Sequence, residues 1–296
     1  MSRNIIVYEN DLKFAQEKKI NFESKNIVYD KDTKQKINKN YDCLDARLEE
    51  SCINNSSFLD LSQLNLTNLD CLLNFNNIIP KVYKSITYLF LNNNNLSSTL
   101  DLRCFTNLIS IDLGHNLIDK VLLPNTLQEL VINDNNITEL PTNVDLIRLT
   151  CDNNKIKYIP DYNNLEILQC SKNKINNIKT YYKLHKLIIH DNPLIDIDIC
   201  PNLIYLDISV TPINNINTFP NLDHLVANNT KLTVVPYMEK LTTLEVIHTP
   251  IKRIGYFPNI DTILCSVNLT KHISSKYDNK YNIKLKNGYV ICISII

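Results

Sequence analysis

Apolar positions along this chain recur at a fixed interval. Leu127, Leu130, Ile132, Asn135 and Ile137 are followed by Leu146, Leu149, Cys151, Asn154 and Ile156. The same order returns as Leu165, Leu168, Cys170, Asn173 and Ile175, and then as Leu184, Leu187, Ile189, Asn192 and Leu194. Within each copy the pair around Leu130, Leu149, Leu168 or Leu187 alternates apolar and polar residues with period two, which predicts a short half-buried strand. The step between copies is nineteen residues. It runs through Asn116, Asn135, Asn154, Asn173 and Asn192, continues with Thr211, Thr230 and Thr249, and returns to Asn at Asn268. Upstream, Asn94 keeps the pattern after a longer interval, and Leu59, Leu61, Leu64 and Leu66 form a first degenerate copy. About eleven coils are therefore expected over residues 58–270.

Two further apolar columns complete each copy. One lies five residues after the Asn or Thr (Leu140, Ile159, Ile178, Ile197, Ile216, Val235, Ile254). The other lies three further on and is bulkier (Tyr162, Tyr181, Cys200, Phe219, Met238, Phe257). Pro141, Pro160 and Pro236 fall between them, at a place where proline opposes a helix interior and supports extended backbone. The return path of each coil is thus predicted to be irregular, without a helix.

The motif L-x-x-L-x-L-x-x-[NC]-x-L carried by these residues resembles that of the leucine-rich-repeat family. The Leu140–Pro141 and Ile159–Pro160 pairs make the repeats similar to the short ones of internalins and bacterial repeat effectors. The resemblance implies a right-handed solenoid with a parallel β-sheet on its concave face and extended, irregular backbone on the convex side. One coil cannot bury enough apolar surface to fold alone, so the coils must stack and be capped. Leu44, Leu48 and Cys52 share a helical face, and residues 42–57 are read as a helical N-terminal cap. Residues 271–296 are read as a C-terminal cap with a hairpin turning at Asn287-Gly288. Residues 1–41 are polar and Lys-rich and carry no motif.

Composition alters this picture in two places. Asn occurs 44 times and Gly only three times, so single Asn matches mean little and only the fixed step has weight. Lys plus Arg equals Asp plus Glu at 31 each; neutrality removes the general electrostatic route to nucleic acid. No stretch is long and apolar enough to span a bilayer, and no apolar leader follows Met1, which leads to the expectation of an intracellular protein. Nine Cys without a Cys-x-x-Cys pair read as reduced core thiols. There is no phosphate-binding glycine loop, no His-Glu-x-x-His and no nucleophile elbow; His185 and His190 fall in one coil but make too small a set for a metal. No catalytic, metal or cofactor site is expected.

The side chains expected to point outward from the sheet carry the functional reading. The position between the two inward strand residues holds Phe90, Asp112, Val131, Thr150, Gln169, Ile188, Asp207, Val226, Glu245 and Leu264. Flanking positions add Tyr88, Arg148 and Tyr205 on one side and His190 and Ile247 on the other. Apolar and aromatic groups set among charges are the composition of a protein-binding surface. The expected function is a non-enzymatic module that binds a protein partner through Tyr88, Phe90, Val131, Arg148, Ile188, His190, Tyr205, Val226, Ile247 and Leu264. The alternative is a substrate-recognition adaptor that recruits an enzymatic complex, such as a ubiquitin ligase, through residues 1–41. The column Asn94, Asn116, Asn135, Asn154, Asn173, Asn192, Thr211, Thr230, Thr249 and Asn268 is expected to be structural. Its amides can satisfy backbone groups that each turn would otherwise bury unpaired, and Thr is the weaker substitute.

Overall fold

The computed structural model describes residues 57–69, 83–266, 269, 281–286 and 289–294. The polar N-terminal segment, the helix expected before residue 57, Asn268 and the Asn287-Gly288 turn lie outside the described residues. The chain runs through β1 (Phe58–Asp60), β2 (Tyr88–Phe90), β3 (Ser97–Asp101), β4 (Ser110–Asp112), β5 (Leu117–Leu122) and β6 (Glu129–Val131). It continues with β7 (Arg148–Thr150), β8 (Ile167–Gln169), β9 (Asn177–Ile178), β10 (Lys186–Ile188), β11 (Asp196–Ile197) and β12 (Tyr205–Asp207). Then come β13 (His224–Val226), β14 (Thr243–Val246), β15 (Thr262–Cys265), β16 (Tyr281–Lys286) and β17 (Tyr289–Ser294).

One sheet takes a strand from every coil, in the order β1-β2-β4-β6-β7-β8-β10-β12-β13-β14-β15. These eleven strands are parallel and unshifted in register, so that Leu130, Leu149, Leu168, Leu187, Leu206 and Leu225 lie side by side. β17 adds antiparallel to β15, and β16 to β17. Among the described residues the backbone on the far side makes two small parallel pairs, β3 with β5 and β9 with β11. β3 lies in the coil from Asn94 to Asn116, three residues longer than the common step, and pairs with β5 in the nineteen-residue coil from Asn116 to Asn135.

Inward-facing side chains from the described coils form one continuous core, and both apolar columns of the return path belong to it. The bulky column is filler between coils: Tyr162 is 1% exposed. Its hydroxyl donates to Pro141 O at 2.7 Å, and that of Tyr181 donates to Pro160 O at 2.9 Å. Each tyrosine thus ties its coil to the one before and satisfies its polar tip in an apolar site. Burial pushes both phenols far above their ordinary range.

The Asn column joins coil to coil. Asn173 Oδ1 accepts from Ile156 N–H at 3.0 Å, while its Nδ2 donates to Cys151 O (2.9 Å), Cys170 O (3.2 Å) and Ser171 O (3.1 Å). Ile156 and Cys151 belong to the preceding coil. Asn116, Asn135, Asn154 and Asn192 repeat this pattern. Each inner carbonyl therefore accepts from two successive amides; Cys151 O serves both Asn154 and Asn173. Thr cannot reach across. Thr211, Thr230 and Thr249 each donate only within their own coil, to Ile208 O, Ala227 O and Val246 O.

A second regularity sits one residue before this column. Asn93, His115, Asp134, Asn153, Lys172, Asp191, Val210, Asn229 and His248 all have φ between 53° and 58°. The left-handed conformation lets the chain leave the sheet and turn inward within a single residue. Asn, Asp and His tolerate that region best among non-glycine residues. Val210 does not: it is β-branched, with φ 56°.

Candidate functional site

The register places the expected surface residues in three columns that run across the strands. The leading column is Phe58, Tyr88, Ser110, Glu129, Arg148, Ile167, Lys186, Tyr205, His224, Thr243 and Thr262. The centre column begins at Asp60 and passes through Phe90, Val131, Ile188 and Val226 to Leu264. His190 and Ile247 stand in a trailing column two residues beyond the centre, where the backbone still bonds across coils: Lys172 N–H donates to His190 O and Asn229 N–H to Ile247 O.

Arg148 is exposed, and the other nine expected surface residues are half-buried. Neighbouring strands in a parallel sheet lie about 4.8 Å apart, so each outward side chain is shielded by those on either side. Phe58 and Phe90 meet with tilted rings, centroids 4.9 Å apart, and Tyr205 stacks over His224 at 6.0 Å. Arg148 Nε stands 3.7 Å from Glu129 Oε1, and His224 Nδ1 is 2.9 Å from Asp223 Oδ2.

Acids on the face are anchored by backbone. Asp112 Oδ1 accepts from Gly114 N–H and Asp207 Oδ1 from Ser209 N–H, both at 2.9 Å. Asp152 Oδ1 accepts from Ser171 N–H in the next coil at 2.6 Å. Gly114 is small because the carboxylate folds over it; a Cβ there would stand 3.2 Å from Asp112 Oδ1. Burial pushes the carboxyls of both Asp112 and Asp152 above the ordinary range, against the backbone N–H groups and nearby histidines that favour the ionised form.

A feature that sequence reasoning missed borders the face where each strand begins. Asn107, Asn202, Asn221 and Asn259 donate through Nδ2 to Lys84 O, Tyr182 O, Pro201 O and Glu239 O of the preceding coil, at 2.7–2.9 Å. They form a second Asn column, and the available signal was Asn immediately before the first apolar residue of the motif. Beside it runs an open groove lined by Glu166, His185, Ile204, Asp223 and the stems of Lys183 and Lys240.

The reactive and metal-ligating side chains among the described residues stand apart from one another. Among the described residues no three His, Cys, Asp or Glu side chains converge as metal ligands. Cys151, Cys170 and Cys200 are buried, and none of the three is in a disulfide. Burial raises the thiols of Cys151 and Cys170 far above their ordinary value, the opposite of an activated nucleophile. No described helix is long and apolar enough to cross a membrane.

No family model matches the sequence, and no curated protein matches it. Solved structures do. The leucine-rich repeat domain of APL1B matches with a TM-score of 0.57 at 16% identity, over 90% of this chain and 98% of that one. A chain of the LRIM1/APL1C complex matches with a TM-score of 0.55 at 18% identity over 79% of this chain, which spans only 50% of that one. A chain of the octameric complex of latrophilin 3, Unc5D and FLRT2 matches with a TM-score of 0.54 at 18% identity, over 76% of this chain and 79% of that one. At such identities the likeness is one of fold.

Proposed function

Because the chain folds as a leucine-rich-repeat solenoid, we propose that it is a non-enzymatic binding module that presents the outward sheet face to a protein partner. The observation that carries this reading is the centre column. Phe90, Val131, Ile188, Val226 and Leu264 stand in one register line on a face with no covering element among the described residues. Half-buried apolar side chains on rigid strands lose little entropy when covered, which suits them as anchors. Tyr88, Arg148, His190, Tyr205 and Ile247 frame them. Two of the structures that share the fold are complexes, LRIM1 with APL1C and FLRT2 with latrophilin 3 and Unc5D, and this supports a binding role here.

The test replaces Val131, Ile188 and Val226 together with Ser, which removes apolar area without altering charge. Covering each side chain is worth about 1 kcal/mol, so the triple variant should bind its partner roughly a hundredfold more weakly. Capture from cell extract by the wild-type and variant chains, compared by quantitative mass spectrometry, reads this out, with circular dichroism as the folding control. Equal capture by both folded chains would place binding elsewhere.

A further inference from the structure

The chain is neutral overall, but the sheet face is not. Its three columns carry the carboxylates of Asp60, Asp112, Glu129, Asp152, Asp207 and Glu245 against two cations, Arg148 and Lys186. Both cations stand in the leading column, and Arg148 already faces Glu129. No Lys or Arg occupies the centre or the trailing column. Other lysines of the repeats lie on turns and on the far side, as at Lys155, Lys157, Lys174 and Lys252, all exposed, while Lys183 and Lys240 line the groove beside the leading column.

The order of residues within the centre column is as informative as their charge. From one end it reads Asp60, Phe90, Asp112, Val131; toward the other it reads Ile188, Asp207, Val226, Glu245, Leu264. Acid and apolar side chains alternate strand by strand, with neutral Thr150 and Gln169 between the two runs. Strands spaced about 4.8 Å apart repeat an acid every ~9.6 Å, with an apolar group midway. An α-helix lying across the strands rises about 1.5 Å per residue, so positions i and i+7 are about 10.5 Å apart and i+3 or i+4 falls midway. A modest tilt reconciles the two lengths. An extended peptide at about 3.3 Å per residue covers the same distance in three residues, an odd number that turns every second contact away from the face. The spacing selects a helix.

The acids are also prepared for donors. Asp207 holds one backbone N–H on Oδ1, and Glu245 Oε2 accepts from Asn228 Nδ2 at 3.0 Å. Each carboxylate retains acceptor capacity beyond these bonds. Burial already disfavours the ionised form of Asp112 and Asp152, and a cation brought by a partner would relieve that cost.

We propose that the sheet face takes a basic amphipathic helix laid across the strands. Its Lys or Arg residues, at heptad spacing, meet Asp207 and Glu245, and its apolar residues pack on Ile188, Val226 and Leu264. This rests on the sheet face being the binding surface, and it adds the partner's charge and conformation.

The probe is a synthetic three-heptad helix with Arg at the first and Leu at the fourth position of each heptad. It is titrated against the full chain by fluorescence anisotropy, beside a peptide with Glu for Arg and one with Arg respaced to every fifth residue. The Arg-heptad peptide should bind, and raised salt should weaken it. The double variant D207N/E245Q, which keeps both intramolecular bonds, should weaken it roughly tenfold. The Glu peptide should not bind, and the respaced peptide should bind less well. No saturable binding of the Arg-heptad peptide, a Kd that D207N/E245Q leaves within twofold, or equal affinity for the three peptides overturns the proposal. Val226→Lys and Val226→Asp separate the two layers of the argument. Both lose the same apolar contact, and the Lys variant should lose far more affinity than the Asp variant. Equal losses refute the charge preference and leave the sheet face standing; no loss from either variant removes the sheet face as well.

Discussion

Replacing Asn173 by Ala tests the bond that holds one coil to the next. Asn173 is 8% exposed; its Oδ1 accepts from Ile156 N–H, and its two amide hydrogens are shared among the carbonyls of Cys151, Cys170 and Ser171. Not all of these losses are equal. Cys151 O keeps its bond from Asn154, and Cys170 O keeps its bond from Asn192, so neither carbonyl is abandoned. Ile156 N–H has no such second partner in the ladder, and its residue is fully buried. Leaving one buried donor unsatisfied costs about 1–3 kcal/mol, and the weakened donations add about 1 more, giving a destabilisation of about 2–4 kcal/mol. Urea unfolding followed by circular dichroism measures the total. Because stacked repeats need not unfold in one step, native-state hydrogen exchange at the Ile156 amide supplies the local reading, and its protection should collapse. The converse substitution, Thr230→Asn, supplies the missing inter-coil bonds and should stabilise by about 1 kcal/mol. A loss below about 0.5 kcal/mol in Asn173→Ala, with Ile156 protection intact, would refute the reasoning, since a bond of ordinary net worth is at stake.

Two further outcomes follow from local geometry. Val210→Asn should stabilise by about 1 kcal/mol, because a β-branched residue there pays the full left-handed penalty and Asn pays less; an unchanged melting temperature would contradict this. Asp152 titrates above the ordinary range in the folded chain, so the folded state binds its proton more tightly than the unfolded state does. Its contribution is therefore most favourable below about pH 4 and is lost as pH rises through the raised folded value. Asp152→Asn should flatten that part of the stability-against-pH curve and raise stability near neutrality, read by chemical denaturation across pH; a steeper slope in the variant would reverse the assignment.

How far the sequence alone led depends on which physical signal each feature leaves. The sheet was legible because Leu130, Leu149, Leu168 and Leu187 keep one step with the Asn column, and a step shared by several columns is independent of composition. The face columns followed by arithmetic from that step. The left-handed column stayed hidden although seven of its nine residues are Asn, Asp or His, because Lys172 and Val210 interrupt it and Asn is too common in this chain to stand out. The second Asn column stayed hidden for the opposite reason: in a chain with 44 Asn, Asn107 or Asn202 carries no surprise. Exposure was misleading in its own way. The most exposed large apolar residues are on turns and the far side, such as Tyr182 at 72% and Ile195 at 62%. The apolar residues of the sheet are half-covered by their neighbours, an effect of strand spacing that no single copy of the motif displays.

The uniform step also bears on how such a chain can change length. Every ladder amide from Asn135 to Asn192 reaches the same relative atoms of its predecessor. Excising residues 155–173 would set Asn192 against Cys151 O while keeping Ile175 N–H in place, and the seam would close as before. Gain or loss of a whole coil by recombination between copies is thus structurally silent at the junction. What it does alter is the ruler of side chains displayed across the strands, so that, under the binding role proposed above, partner choice would drift by insertion and deletion while the scaffold stays the same.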